Sequence, residues 1–154
     1  MSFREPPTEK AAARLKILIV DDAEDVRRDL RTVLQFAHDL EIVGEAVNGI
    51  EAVALADQIR PDVVLMDLRL PGLDGFEATE QIRRRELARS VIMLTIYDDP
   101  ENRARAARAG IDLFLVKGLS VEQLVAAIRQ VGCSRVAESP GRLSKEANDH
   151  DGTF

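Results

Sequence analysis

The segment VVLMDLRLPGLDG, residues 63–75, decides the fold. Four apolar residues, Val63 to Met66, run straight into one carboxylate, Asp67. Leu68 and Leu70 straddle Arg69, then comes a Pro71-Gly72 turn and a second glycine, Gly75. A short apolar run bounded by turn residues reads as a buried strand. A lone carboxylate at the end of such a strand is costly unless a positive partner meets it. The identity of that partner depends on the elements either side.

The same grammar repeats along the chain. KILIVD (16–21), EIVGEA (41–46), DVVLMD (62–67), SVIMLT (90–95) and DLFLVK (112–117) are apolar strands. Between them, apolar residues fall at helical spacing over 23–38, 49–59, 75–86 and 100–109. Arg60-Pro61 ends the second of these helices, and Gly110 ends the fourth. Ser120 caps a last helix reaching about Val131. Five β-α units in series, with near-continuous apolar strands, predict an α/β fold: a five-stranded parallel sheet with helices on both faces. Residues 1–14, with Pro6-Pro7, read as a flexible arm, 15–132 as one domain, and 133–154 as a disordered polar tail.

Composition narrows the function. The chain has 154 residues, room for one domain with a sizeable core. Its net charge of −6 and 4% aromatic content disfavour nucleic-acid binding by charge or by base stacking. Cys133 is the only cysteine, so no internal disulfide forms, which fits the cytoplasm; its plain reading is an inert thiol. No apolar stretch is long enough to span a membrane, and the N-terminus lacks a signal-peptide pattern.

A doubly wound parallel sheet binds ligands at the carboxyl ends of its strands. Those ends carry Asp21 and Asp22, Asp67, Thr95, and Lys117. Taken singly, each has an ordinary explanation. Asp22 could N-cap the first helix with Asp25, Thr95 could be a strand residue, and Lys117 a solvated lysine. Together they make a cluster in which three acids repel one another. Lys117 offsets one charge, and Mg²⁺, which takes one or two carboxylates plus water and phosphate oxygens, offsets the rest. The cluster reads as a metal-assisted phosphate site.

The residues also carry a resemblance. IVDDAEDVRRDL (19–30), VVLMDLRLPGLDGFE (63–77), IMLTIYDD (92–99) and AGIDLFLVKG (109–118) together resemble the receiver domain of bacterial two-component response regulators. LTIYDD and the Lys117-Gly118 pair, where many receivers have Lys-Pro, are most similar to receivers of helix-turn-helix regulators. Only the polar tail follows here, so direct nucleic-acid binding by this chain is not expected.

The resemblance implies a flavodoxin-like strand order of 2-1-3-4-5 and a signalling receiver rather than an enzyme, limited to its own phosphorylation and slow autodephosphorylation. Asp67 would be the phosphoacceptor, attacking a phosphohistidine of a sensor histidine kinase or phosphotransfer protein. Asp22, Asp67 and the backbone carbonyl of Arg69 would ligate Mg²⁺, with Asp21 acting mainly through water. Lys117 and Thr95 would contact the phosphoryl oxygens. Thr95 and Phe114 would form the conformational switch, although plain core packing explains Phe114 equally well. Arg69 and Tyr97 would control water access. Output would run through a partner or a homodimer formed on phosphorylation. Arg103, Arg105 and Arg108 face either a partner or solvent.

Two other functions compete. An aspartate-nucleophile phosphatase needs a second acid two residues after the nucleophile, and Arg69 stands there. A receiver-like interaction module that takes no phosphate usually lacks a site residue, and none is missing here. No G-x-x-x-x-G-K-[ST] loop is present, which excludes that class of nucleotide hydrolase.

Overall fold

Five parallel strands form one sheet in the order β2-β1-β3-β4-β5: β1 Leu15–Val20, β2 Leu40–Ala46, β3 Val63–Met66, β4 Ser90–Thr95 and β5 Leu113–Val116. The computed structural model describes residues 14–137. Helices α1 (Glu24–Leu34), α2 (Gly49–Ile59), α3 (Gly75–Arg84), α4 (Pro100–Ala109) and α5 (Val121–Ala137) connect or follow the strands. The expected strand order and layering are both present.

Two-residue periodicity divides the core. Leu18, Val20, Val64, Met66, Val91 and Met93 point to one face and pack with Ala52, Val53, Phe76, Ile82 and Ala106, which belong to α2, α3 and α4. Ile17, Ile19, Val63, Leu65, Ile92 and Leu94 point to the other and pack with Leu34, Leu124 and Ile128, from α1 and α5. Both faces are covered, so the strands carry no polar alternation. This is why they read as continuous apolar runs.

Helix ends differ from the sequence expectation in three places. The N-cap of α1 is Ala23, with no side-chain cap, so Asp22 does not cap the helix. That helix also stops at Leu34 instead of continuing to residue 38. Phe36 and Ala37 donate back to Val33 O and Leu34 O, and the tight turn lets Leu40 enter β2 beside Leu15. At the other end, α5 continues through 133–137, a stretch expected to be tail. Gly132 does not break it, because a Cβ there would lie 2.7 Å from Leu15 Cδ1; glycine lets the helix lie close on β1. The first strong breaker is Pro140. The remaining tail and nearly all the N-terminal arm lie outside the described residues. Ser120 does cap α5: its Oγ accepts from Gln123 N, and Gln123 Oε1 accepts from Ser120 N.

The switch of strand order lies at β1, whose chain neighbour β2 sits on one side and β3 on the other. Register then fixes what meets at the carboxyl edge. Val20 pairs with Met66, so Asp21 and Asp67 emerge side by side, and Asp67 N donates to Val20 O at 3.0 Å. Thr95 pairs with Val116, so Lys117 emerges next to it.

Gly75, the first residue of α3, packs directly under this edge. A Cβ there would lie 2.2 Å from Asp67 O. Gly75→Ala should therefore destabilise the fold by about 1–3 kcal/mol through backbone displacement beneath Asp67. Urea unfolding of the two proteins checks this; equal midpoints would show that the contact relaxes without cost.

Candidate functional site: an acidic cleft at the strand ends

Carboxylate oxygens of Asp21, Asp22 and Asp67 all lie within 4.8 Å of one another, a spacing suited to holding a metal ion. Asp21 and Asp67 are only 3% and 9% exposed, whereas Asp22 is open to solvent. Lys117 reaches across from β5. Its Nζ donates to Asp21 Oδ2 at 3.0 Å and lies 3.6 Å from Asp67 Oδ1. Asp21 thus takes the stronger bond, and Asp67 the weaker one.

The electrostatics follow from this arrangement. Burial, and then the charge on Asp21, push the Asp67 carboxyl up to about 6, against the opposing pulls of Lys117 and the Leu68 backbone. Burial would lower the Lys117 ammonium. Its hydrogen bond to Asp21 and the charges of Asp67 and Asp21 outweigh burial and hold it above the ordinary lysine value. One ammonium faces three acids, so the cluster carries excess negative charge. The donor set is all oxygen, part buried and part open, which fits a hard divalent cation that retains waters. These residues therefore fit Mg²⁺.

Asp21 is held from several sides. Its Oδ1 accepts from Ala23 N at 3.0 Å, and its N donates to Ala46 O. Its carbonyl accepts from Arg27 Nη1 at 2.9 Å. Arg27 Nε in turn pairs with Glu45 Oε1 at 3.2 Å, and Glu45 also pairs with Arg31. Arg27 and Glu45 stand out less in the sequence than the strand-end groups. A signal was present: Glu45 is a charge inside the strand EIVGEA, and such a charge requires a partner.

Thr95 is fully buried, and its Oγ1 accepts from Tyr97 N at 3.1 Å. Tyr97 O accepts from Asn102 Nδ2, and Asp99 caps α4 through Asn102 N. Arg69 is exposed in the β3–α3 loop, and its guanidinium lies 4.1 Å above the Tyr97 ring. The two loops flanking the cleft therefore touch through this pair. Phe114 is half-buried on β5, some way back from the cleft edge. Arg103 and Arg105 both fold onto their own chain. Arg103 stacks on Phe114 and pairs with Asp98, while Arg105 stacks on Phe76 and approaches Asp74. Arg108 is exposed.

A groove of about 490 Å³ runs beside the cluster, lined by Asp22, Arg69, Pro71 and Asn102 among others. Gly118 adopts φ +112°, which proline cannot reach, so the Lys117-Gly118 departure reflects a different backbone path after the lysine.

A doubly wound sheet with an acid cluster and a lysine at its switch point is an α/β domain with a polar, charged site at its strand ends. A family model described as the response regulator receiver domain matches residues 17–129, and the chain belongs to that family. It is 37% identical over 134 residues to the response regulator protein VraR of Staphylococcus aureus, covering 87% of this chain and 64% of that protein's length. The chain thus spans less than two thirds of that relative. Among solved structures, the signal receiver domain of the response regulator NarL from Mycobacterium tuberculosis matches at 27% identity and TM-score 0.75, covering 79% of this chain and 98% of that one. A LuxR-family two-component response regulator from Aurantimonas matches at 31% identity and TM-score 0.74, covering 88% and 97%. The protein is a two-component signal receiver, a signalling module. Neither the phosphatase nor the receiver-like module reading is favoured. Among the described residues, no helix is long and apolar enough to cross a membrane.

The raised Asp67 carboxyl has a stability consequence. Its ordinary value is 3.8 and its folded value about 6, so folding disfavours the ionised form. The unfolded chain binds fewer protons between these values, so this group lowers stability as pH rises through that window. Above it the penalty is complete; below 3.8 it vanishes. In divalent-free buffer, Asp67→Asn should thus be more stable than wild type by about 1–2 kcal/mol at pH 7, with no gain near pH 3.5. Denaturant unfolding at the two pH values checks the sign; a destabilised variant at pH 7 contradicts it.

Proposed function

We propose that this chain accepts a phosphoryl group on Asp67 from a phosphohistidine of a sensor histidine kinase or phosphotransfer protein. The observation that supports this most is the position of Asp67. It stands at the end of a fully buried strand, 3.6 Å from Lys117 and within reach of two further carboxylates. The buried strand restrains the nucleophile, as in-line attack requires.

Each side chain has a part in the reaction. An Asp67 carboxylate oxygen attacks phosphorus, the bond to the donor nitrogen breaks, and an acyl phosphate forms. Asp67 must be ionised to attack, and its burial and the Asp21 charge oppose that. Asp22, Asp67 and the Arg69 carbonyl would hold Mg²⁺ directly, with Asp21 acting through water. The ion, when bound, supplies positive charge that favours the carboxylate form and offsets the incoming phosphate. Lys117 stands ready to pair with a phosphoryl oxygen. Thr95 reaches the same oxygens once its hydroxyl stops accepting from Tyr97 N.

The switch follows from that exchange. About two negative charges arrive at the cleft. Thr95 turns toward them, the loop from Ile96 to Asp99 follows, and Phe114 moves into the vacated space. The face formed by α4, β5 and α5 changes shape and controls a partner or self-association. Phosphate drives this only by binding one state better than the other. The matched Staphylococcus aureus regulator is longer than this chain, so the downstream output belongs to that same proposal.

The first test is intact mass after incubation with Mg²⁺ and acetyl phosphate. Wild type should gain one phosphoryl group and Asp67→Asn none; equal uptake by the variant would remove Asp67 from its role. Mg²⁺ should bind in the millimolar-to-submillimolar range, about 4–5 kcal/mol, and Asp22→Ala should weaken it more than Asp21→Ala. Calorimetric titration measures this, and unchanged affinity in Asp22→Ala rules the assignment out.

Signal lifetime depends on water reaching phosphorus opposite the Asp67 oxygen. The Arg69–Tyr97 stack spans the two loops beside that path. The Arg69→Ala, Tyr97→Ala double variant should lose its phosphate about tenfold faster, a barrier lower by about 1.4 kcal/mol. Decay after removal of the donor is the readout; decay at the wild-type rate or slower means these side chains are not the shield.

A further inference from the structure

Arg103 joins three elements with one guanidinium. It projects from the first turn of α4, its Nε lies 2.6 Å from Asp98 Oδ1 in the β4–α4 loop, and its Cζ lies 4.7 Å from the centre of the Phe114 ring on β5. Asp98 is three residues beyond Thr95. Phe114 sits beside Met93 in the strand register, two residues before Thr95 along β4. Both partners of Arg103 therefore belong to segments that must move if Thr95 turns toward a phosphoryl group.

The hydrogen bonds of the loop make the connection specific. Thr95 Oγ1 accepts from Tyr97 N, and Tyr97 O accepts from Asn102 Nδ2, one residue before Arg103. When Thr95 leaves Tyr97 N, residues 96–98 lose one of their two anchors and Asp98 is freer to move relative to α4. When Phe114 turns inward, its ring leaves the guanidinium. The ion pair and the stack are thus both contacts of the resting arrangement. An interaction present in only one of two states shifts the balance toward that state.

We infer that Arg103 is a latch, a positioning residue that holds the receiver in its resting state by clamping Asp98 and the Phe114 ring together. This rests on the phosphoacceptor reading above. It assigns Arg103 an intramolecular role in place of partner recognition or solvation. It also explains the pairing of a flat, delocalised cation with an aromatic ring: a guanidinium can stack and pair in plane at once, and an ammonium cannot.

A structural staple and a latch make opposite predictions for ligand binding. Removing a staple lowers stability and leaves affinity unchanged or weaker. Removing a latch lowers stability and raises affinity for whatever favours the active state. The probe is beryllium trifluoride with Mg²⁺, which mimics a phosphoryl group on a carboxylate, followed by calorimetry on the full chain. Arg103→Ala should bind it about fivefold more tightly than wild type, equivalent to about 1 kcal/mol. Asp98→Asn should give a smaller gain, and Arg103→Lys should fall between Arg103→Ala and wild type. In a Phe114→Leu background, Arg103→Ala should change affinity less than about twofold, because the ring it acts through is gone. If Arg103→Ala binds no more tightly than wild type, or if the gain persists in full without Phe114, Arg103 is not a latch. If wild type itself shows no binding that depends on Asp67, the phosphoacceptor reading fails, and the latch with it.

Discussion

Three carboxylates share one ammonium at the switch point of the sheet, and the remaining structure is arranged around that imbalance. The register of β1 on β3 forces Asp21 and Asp67 together, and buried apolar strands on either side prevent them from moving apart. Lys117 gives its shorter contact to Asp21 and its longer one to Asp67. Asp67 is left as the acid least well matched, buried and facing a like charge, with its carboxyl held up to about 6. A site in that condition gains most from additional positive charge or from a ligand that brings its own cation. The fold thus stores electrostatic frustration where a phosphoryl group would be received.

The scaffold makes this frustration sustainable. Backbone bonds with Ala23 N and Ala46 O hold Asp21, and Arg27 closes on its carbonyl from α1 while Glu45 secures Arg27 from β2. Gly75 allows α3 to start directly against Asp67 O. Arg27, Glu45 and Gly75 do not lie at the end of a strand, yet each limits how far the acids can relax. Arginines form a second theme. Arg69, Arg103 and Arg105 each stack on an aromatic ring, and together they knit the loops after β3 and β4 to α3, α4 and β5. Loops beside the cleft are therefore held by polar and stacking contacts, which exchange more readily than core packing.

The strands and the groups at four of their ends are legible in the sequence because their signals are local, whereas the strand order follows only from the family resemblance. Fully buried strands appear as apolar runs, and the residue after each run is by geometry at the carboxyl edge. Helix ends were less legible. Asp22 can be read as an N-cap, but the chain places Ala23 there, and an Asp22 carboxylate oxygen lies near those of Asp21 and Asp67 instead. The last helix is expected to end near Val131, but it runs on through Gly132, which lies close against Leu15. Long-range side-chain pairs were not legible at all. Arg27 with Glu45 and Arg103 with Phe114 are set by packing between elements far apart in sequence, and helical arginines otherwise look like a solvated face.

The ionisation of Asp67 is the most direct measure of the central constraint. Carbon-detected NMR on protein labelled at aspartate side chains can follow the Asp67 carboxyl through a pH titration, first without divalent ions and then with saturating Mg²⁺. Asp67 should titrate at about 6 without the ion, and the midpoint should fall by more than a unit when Mg²⁺ is present. A midpoint near the ordinary value of 3.8, unmoved by Mg²⁺, would contradict both the frustrated cluster and the proposed role in receiving phosphate.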